Sequence, residues 1–256
     1  MDQKLKIISL QVNNISFGEC LERVSNLGFT RTPSFVCFVN AHMVIEAWNS
    51  KLFLQQLNTA TLILADGKPV AKACYWLYKK KQDRIAGMDF LPALLNYLDN
   101  KKDARLFLLG SAKLVLDSIK EKINSSFINI QIAGAVSPPF RALTNDEQQQ
   151  LTEQINTSGA NFVLVALGCP KQEKWMAEHY KKINAVLLGV GGAFPVFAGI
   201  QKRSPQWMQT YGLEWLYRLL QEPRRLLKRY LVTNTIFLFL FLKQWLSLYS
   251  GKNETA

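Results

Sequence analysis

Six short apolar runs, alternating with segments of helical periodicity, constrain the fold of this chain more than any other feature. The apolar runs are residues 34–39, 61–65, 105–109, 128–133, 161–167 and 185–190. The segments with apolar residues at helical spacing are 41–57, 70–80, 90–100, 113–124, 145–158 and 172–182. Such alternation is typical of a parallel sheet covered by helices on both faces. We therefore predict an α/β fold with a Rossmann-like sheet, in which ligands bind beyond the carboxyl ends of the strands.

The pattern changes after residue 200. Residues 204–220 are rich in aromatic side chains, Pro223 is expected to start a new helix, and residues 231–242 end in a nearly unbroken apolar run. A bilayer span needs about 20 apolar residues, so we expect an interfacial or docked helix here, with a plain buried helix as the alternative. We divide the chain into an α/β domain of residues 1–200 and a helical, basic appendage of residues 201–256.

The positive charge is concentrated in that appendage. The formal net charge of the chain is +12, and the segment from Lys202 to the end holds nine Lys or Arg against three Glu, a net charge of +6. Basic surfaces attract the phosphates of nucleic acids, anionic lipids or diphosphate substrates, and charge alone does not choose among them. The composition, 48% hydrophobic and 20% charged, excludes disorder over most of the chain.

The cysteines and the N-terminus indicate a reducing compartment. Cys20, Cys37, Cys74 and Cys169 lie far apart without a C-x-x-C pair, which favours buried free thiols over a disulfide or a zinc site. The first 15 residues contain no apolar core long enough for a signal peptide. We predict a cytoplasmic protein.

Asp66 follows the second apolar run, in the motif Ala65-Asp66-Gly67-Lys68-Pro69. This places a carboxylate at the carboxyl end of a predicted strand, where a substrate would bind. An Asp before a proline in the first helical turn commonly caps the helix, and the motif alone favours that role. The alternative is a general base, because a carboxylate can take the proton of an attacking hydroxyl group.

Asn40 occupies the equivalent position after the first run, and His42 lies two residues beyond it. Asn40 could bind a sugar hydroxyl or cap the following helix, and its spacing favours the cap. A lone imidazole such as that of His42 is more often structural than catalytic. With only two histidines in the chain, a cluster of histidine metal ligands is not available.

Glycine-bearing turns follow two later runs. One holds Gly110, and the other spans residues 168–172 with the sequence GCPKQ. Backbone amides at a helix N-terminus, with a glycine that allows close approach, form a site for a nucleotide phosphate. The run of residues 189–194 resembles a dinucleotide fingerprint but does not match it. Phe194 stands at the third glycine position, and the run follows a late strand of the predicted sheet where the fingerprint follows the first.

The chain has no Asp-x-Asp motif, the usual carboxylate pair for a divalent metal on a sugar nucleotide. Five positive charges lie within twelve residues instead: Arg218, Arg224, Arg225, Lys228 and Arg229. Guanidinium groups match phosphate oxygens bidentately, so this group suits a diphosphate. A solvated basic face or a patch for anionic lipid is the open alternative.

Over almost its whole length the chain resembles the WecG/TagA/CpsF family of glycosyltransferases. The most specific segments are SPQWMQ at residues 204–209, GLEWLYRL at 212–219, EPRRL at 222–226 and RY at 229–230. Supporting segments are ADG at 65–67, R-x-x-G-x-D at 84–89, G-x-P-K-Q-E at 168–173 and G-x-G at 189–191.

The resemblance implies inverting, metal-independent transfer without a cofactor. The donor would be a UDP-sugar, commonly of the N-acetylmannosamine type, and the acceptor a polyprenyl-diphosphate-linked sugar in the synthesis of cell-surface polysaccharide, teichoic acid or exopolysaccharide. It favours Asp66 as the general base, with Asn40 orienting a sugar. The residues then expected to hold the substrate or nucleotide are Arg84, Gly110, Gly168, Pro170, Lys171, Gln172 and Gly191. Those expected to hold a diphosphate are Arg218, Arg224, Arg225 and Arg229.

The resemblance also implies a peripheral enzyme at the inner face of the cell membrane, with no nucleic acid as partner. The chain departs from the family at two positions. Phe38 stands where the family often has Thr, and Pro195 follows Phe194 where Asp is common. Both changes fall near the expected sugar pocket, so other hexoses remain possible donors. Two rival hypotheses are an oxidoreductase with a nucleotide cofactor and a non-enzymatic basic module that binds membranes or nucleic acid.

Overall fold

A computed structural model describes residues 3–253, except for the side chains of Arg225 and of residues 251–253. The strands are β1 (Lys4–Ile7), β2 (Leu10–Asn13), β3 (Ser34–Val39), β4 (Leu62–Ala65), β5 (Ala104–Gly110), β6 (Ile130–Val136), β7 (Phe162–Ala166) and β8 (Val186–Gly189). The helices up to the end of the sheet are α1 (Phe17–Phe29), α2 (Ala41–Asn49), α3 (Lys51–Asn58), α4 (Lys68–Tyr78), α5 (Gly87–Asp99), α6 (Lys113–Ser126), α7 (Asn145–Thr157), α8 (Lys171–His179) and α9 (Ala193–Phe197). The C-terminal helices are α10 (Gln206–Tyr211), α11 (Glu214–Gln221) and α12 (Pro223–Asn253).

Six of these strands form one parallel sheet in the order β4-β3-β8-β7-β5-β6. Each corresponds to one of the six predicted apolar runs. Residues of β3, β4 and β8 are buried at every position, because helices cover both faces of the sheet. The predicted Rossmann-like α/β fold is confirmed.

The two faces of the sheet carry separate apolar clusters. One contains side chains of α2, α3, α4, α7, α8 and α12, and the other contains side chains of α1, α5, α6 and α9. Parallel strands in one sheet bring all their carboxyl ends to one edge, so the residues that follow β3, β4, β5, β7 and β8 line that edge together.

The structure differs from the sequence prediction in two places before the appendage. The antiparallel hairpin of β1 and β2 and the helix α1 were not predicted. The predicted helix at residues 41–57 is two helices, because Ser50 adopts an extended conformation and its side chain accepts a hydrogen bond from the Phe53 amide at 3.2 Å. That bond ends α2 and caps α3.

The C-terminal appendage is helical, and α12 begins at Pro223 as predicted. The predicted apolar segment of 12 residues was too short, since α12 is continuous and Leu226–Ser250 is long and apolar enough to cross a membrane by length and composition alone. In the structure α12 packs beside α2 and α4 and buries Phe237 and Phe241. The docked form of the helix is the one observed. The domain boundary at residue 200 stays a prediction.

Candidate active site

Asn40 and Asp66 lie side by side at the carboxyl edge of the sheet. Val39 pairs with Ala65 in the β3–β4 ladder, so the next residue of each strand leaves the sheet at the same level. The Asp66 amide donates to the Val39 carbonyl at 2.9 Å. A Cβ atom on Gly67 would lie 3.4 Å from the Asn40 Cα, so the two chains pass in close contact. Both residues were predicted to follow strands at this edge, and the structure shows that the two strands are neighbours.

Asp66 does not cap α4. The N-cap of that helix is Gly67, without a side-chain hydrogen bond, and Pro69 occupies the first turn. Within the described part of the chain, the Asp66 carboxylate accepts no hydrogen bond, and the residue keeps an exposed fraction. Asp66 therefore lacks the capping role that the motif alone favoured, and its carboxylate is available to a ligand.

The surroundings of Asp66 suit a base that works near neutral pH. Desolvation by the surrounding protein raises the pKa of Asp66 to about 6, while the guanidinium groups of Arg218 and Arg84 oppose that rise. Glu214 and Asp89 raise the pKa further. Because a useful general base has a pKa close to the working pH, this balance keeps Asp66 largely ionised at neutral pH yet basic enough to accept a proton.

Asn40 caps α2, as its spacing favoured. Its side-chain oxygen accepts a hydrogen bond from the Met43 amide at 3.2 Å. The cap uses the oxygen, and the side-chain NH₂ group makes no hydrogen bond to any described residue. His42, the second residue of α2, has its Nδ1 atom 3.8 Å from a carboxylate oxygen of Glu46. Burial lowers the pKa of His42, with Arg229 acting in the same direction.

Arg84 takes part in a network of ion pairs that ties α11 to the sheet domain. Its guanidinium contacts Asp89 at 2.6 Å and forms an ion pair with Glu214. Arg203 contacts the same two carboxylates, at 2.6 Å and 3.6 Å. Arg84, predicted to hold the nucleotide, acts electrostatically on Asp66, but its charge is already paired within the protein.

Arg218 reaches the carboxyl end of β8 from α11. A Cβ atom on Gly192 would lie 3.2 Å from its Nη2 atom, and the same atom lies 3.3 Å from the Met88 sulfur. Among the described residues, no carboxylate is within ion-pair distance of Arg218. The side chain therefore presents an uncompensated positive charge at the edge where a diphosphate would bind, and this charge acts electrostatically on Asp66.

The two predicted glycine turns lie on adjacent strands, because Gly110 pairs with Ala166 in the β5–β7 ladder. The chain leaves β5 toward β6 and leaves β7 toward β8, in opposite directions across the sheet. Such a reversal opens a crevice beyond the strand ends, where α/β proteins bind nucleotides. Gly110 has φ 99° and Gly168 has φ 82°, and a side chain on Gly168 would meet no atom within 4 Å. Gly168 thus borders open space.

The turn of residues 168–172 is held from inside by Gln172. This buried side chain accepts a hydrogen bond from the Gly168 amide at 3.2 Å and donates to the Gly189 carbonyl at 2.9 Å. A Cβ atom on Gly191 would lie 3.0 Å from its oxygen. Gln172 and Gly191, both predicted to hold substrate, therefore pack against each other. Pro170 is half-buried, and Lys171 stands exposed at the start of α8.

The predicted arginine group is divided between two helices. Arg224 is exposed, and the Arg225 side chain lies outside the described residues. Arg229 is half-buried, with its guanidinium 5.5 Å from the centre of the Tyr230 ring, and it acts electrostatically on His42. Among the arginines of this group whose side chains the structure describes, Arg218 alone stands against the glycine-rich end of β8.

Three functional features escaped the sequence prediction. Arg203 completes the ion-pair network by contacting Asp89 and Glu214. Those two carboxylates lie inside the segments that resemble the family, but the sequence analysis assigned them no role. Glu173 is fully buried, one of its oxygens has no hydrogen-bond partner, and burial raises its pKa to about 7. Its position directly after Gln172 in a resembling segment was the available signal.

Within residues 3–253, no group of three or more His, Cys, Asp or Glu side chains is placed to hold a metal ion. All four cysteines are free thiols, and three of them are buried. The metal-independent reaction stays a prediction.

Comparison with known proteins agrees with the geometry. The model of the Glycosyl transferase WecG/TagA/CpsF family matches residues 5–251. A relative from Bacillus subtilis strain 168 is 36% identical over 189 residues, which cover 73% of this chain and 71% of the relative. A relative from Bacillus spizizenii strain W23 is 35% identical over 222 residues, which cover 84% of each protein. Both are named N-acetylglucosaminyldiphosphoundecaprenol N-acetyl-beta-D-mannosaminyltransferase.

Proposed function

The chain belongs to the WecG/TagA/CpsF family of glycosyltransferases, and we propose that it transfers an N-acetylmannosamine-type sugar from a UDP-sugar to a polyprenyl-diphosphate-linked N-acetylglucosamine. The acceptor and the sugar follow the names of the two relatives. The polymer built would belong to the cell envelope. The family match supports neither rival hypothesis, the oxidoreductase or the non-enzymatic binding module.

One observation carries the proposed chemistry: Asp66 accepts no hydrogen bond from the described residues and lies beside an uncompensated Arg218. Asp66 takes the proton of the attacking acceptor hydroxyl, whose oxygen forms a bond to the anomeric carbon of the donor. The bond from that carbon to the diphosphate breaks, and UDP leaves with the electron pair. Arg218 stabilises the charge that develops on the leaving diphosphate, and attack opposite to the leaving group inverts the anomeric centre.

The nucleotide is proposed to bind in the crevice between β5 and β7. The open space at Gly168 and the exposed start of α8 at Lys171 support this location. Gln172 serves the site indirectly, by holding the turn against β8. Arg84 holds α11, and with it Arg218, in place through Glu214.

Phe38, which stands where the family often has Thr, packs in the core of the sheet domain. Phe38 is buried, and its ring centre lies 5.3 Å from that of Phe90. Pro195 lies in the short helix α9 and is half-buried. Neither position supports a different donor on its own, which is why the proposed sugar follows the relatives.

The lipid-linked acceptor calls for a location at the cytoplasmic face of the membrane. The basic start of α12 and its apolar outer side support a peripheral association of the appendage with that surface.

Incubation of the protein with a panel of UDP-sugars and short-chain prenyl-diphosphate saccharides, followed by mass spectrometry, tests this proposal. We expect a product heavier than the acceptor by one N-acetylhexosamine residue, formed from UDP-N-acetylmannosamine and the N-acetylglucosamine acceptor. A product formed only from another UDP-hexose would reject the proposed donor, and no product from any pair would reject the proposed reaction.

A further inference from the structure

One side of α4 exposes two large aromatic rings. Tyr75 is 51% exposed and Trp76 is 48% exposed. With Lys72 they occupy positions i, i+3 and i+4, so the three side chains form a single stripe on the helix, and Lys79, which caps the C-terminal end of α4, lies over the Tyr75 ring. A contiguous patch of exposed apolar side chains marks an interaction surface.

The α4 stripe continues onto α12. The ring centre of Trp76 lies 5.6 Å from that of Phe241, which α12 buries against the domain. Further along, the Gln244 side chain donates to the Lys6 carbonyl at 2.8 Å and accepts from the Ile8 amide at 2.7 Å, which fixes α12 to the β1–β2 hairpin. The large apolar side chains that α12 leaves exposed are Leu227, Leu231, Val232, Leu238, Phe239, Leu242, Trp245, Leu246, Leu248 and Tyr249. The two helices therefore present one joint apolar surface.

The charge of this surface is entirely positive. Neither α4 nor α12 contains an Asp or a Glu. The Lys72 ammonium lies 6.0 Å from the centre of the Trp76 ring, the Lys79 ammonium lies 5.4 Å from that of Tyr75, and Lys80 and Lys81 follow, both exposed. Trp and Tyr rings among Lys side chains are typical of protein surfaces that bind at the interface of an anionic bilayer.

We propose that the exposed stripe of α4, together with the adjoining Lys80 and Lys81, is a second membrane contact that lies within the sheet domain and binds anionic phospholipid beside α12. The inference rests on the proposed membrane association of the appendage and extends it to the sheet domain. The whole α4–α12 side then faces the lipid, and the molecule has one defined orientation at the bilayer. The occupant is a lipid surface and not a second copy of the chain, because two copies joined through this face would bring like charges together.

Co-sedimentation of the full chain with phosphatidylglycerol–phosphatidylcholine vesicles tests the proposal. The double variant Lys80→Glu/Lys81→Glu reverses two exposed charges that make no ion pair within the described structure. The matched control Lys101→Glu/Lys102→Glu makes the same change in charge on the loop before β5, away from α4 and α12. We expect at least about tenfold weaker vesicle binding for the first variant and nearly unchanged binding for the control. Both should keep wild-type turnover with a water-soluble, short-chain acceptor.

Equal vesicle affinity of the two variants would overturn the α4 contact while leaving the proposed reaction intact. Failure of the wild-type chain to bind vesicles would reject the membrane location itself. A Trp76→Ser variant, whose molecular mass is measured by light scattering, tests whether the surface is instead a dimer interface. If the wild type is a dimer and this variant a monomer, the surface is an interface between copies and the proposal is wrong.

Discussion

Arg218 acts electrostatically on Asp66 from another part of the chain without forming an ion pair with it. Asp66 ends a strand of the sheet, whereas Arg218 is carried by α11, in the appendage. A carboxylate that stays unpaired can accept a proton, and a guanidinium that stays unpaired can bind phosphate. In the proposed mechanism Asp66 acts as the base and Arg218 binds the diphosphate, and both roles require that the two side chains do not pair with each other. Because Asp66 belongs to the sheet domain and Arg218 to the appendage, both parts of the chain are needed for the site.

Replacement of Arg218 by Ala should lower kcat about 100- to 1,000-fold, because the leaving diphosphate loses its positive partner. Removal of this cation also raises the pKa of Asp66 above about 6, so the acid limb of the kcat/KM profile moves to higher pH. Arg31→Ala, which changes an exposed arginine before β3 and so at the opposite edge of the sheet, is the control and should alter neither quantity. If the acid limb of Arg218→Ala stays at the wild-type pH, the charge of Arg218 does not influence the pKa of Asp66, and this part of the account is wrong.

Disruption of the ion-pair network should loosen α11. Asp89→Asn weakens the contacts to Arg84 and Arg203, both at 2.6 Å, in a half-exposed setting. We expect a loss of about 1 to 2 kcal/mol in the free energy of unfolding and a reduction in kcat with little change in UDP affinity. Urea denaturation and steady-state kinetics measure the two effects. Asp117→Asn, which removes a surface pair with Lys120, should cost less than about 0.5 kcal/mol.

The two glycine turns should respond differently to an added methyl group. Gly110→Ala introduces a Cβ atom 2.5 Å from the Ala166 carbonyl oxygen at φ 99°, and should lower the free energy of unfolding by about 3 kcal/mol or more. Gly168→Ala adds only the strain of φ 82°, about 1 to 2 kcal/mol, because its surroundings are open. Thermal or urea unfolding distinguishes them, and equal losses would mean that the contact at Gly110 relaxes freely.

Glu173 should make the protein less stable as the pH rises. Burial raises its pKa from 4.5 to about 7, so the folded state holds the proton more tightly than the unfolded chain. The contribution of Glu173 to the free energy of unfolding is on the order of 3 kcal/mol. It is complete below about pH 4.5 and is lost as the pH rises through about 7. Urea unfolding at several pH values should show this slope in the wild type and a shallower one in Glu173→Gln, where Asp66, whose pKa is also raised, still contributes. Glu121→Gln, at an exposed position on α6, should keep the wild-type slope.

The sheet could be predicted from the sequence because its strands are buried on both faces and appear as unbroken apolar runs. The break at Ser50 could not, since apolar spacing continues through it and the interruption depends on a side-chain hydrogen bond. The β1–β2 hairpin alternates buried and exposed residues only over four positions in β1, which is too short a pattern to stand out. The full length of α12 was missed because Lys243 and Gln244 end the apolar run several turns before the end of the helix.

At the site, the sequence placed Asn40 and Asp66 each at the carboxyl end of a predicted strand, and the pairing of β3 with β4 in the structure brings them together. Sequence could not show that Gln172 points inward to Gly189 or that the charge of Arg84 is paired with Asp89 and Glu214. The contacts of Gln172 with Gly189 and of Arg84 with Glu214 join residues that are far apart in the sequence. For the same reason the five basic residues appeared as one group, whereas the fold separates Arg218 from those on α12.

The kcat/KM profile of sugar transfer against pH, for the wild type and for Asp66→Asn, tests the central claim most directly. The wild-type value should fall below a pKa of about 6, as Asp66 becomes protonated. Asp66→Asn should lose about 100- to 10,000-fold in kcat, with UDP binding retained and without the acid limb. Transfer by Asp66→Asn at a near-normal rate, or an unchanged acid limb in that variant, would contradict the role of Asp66 as the base.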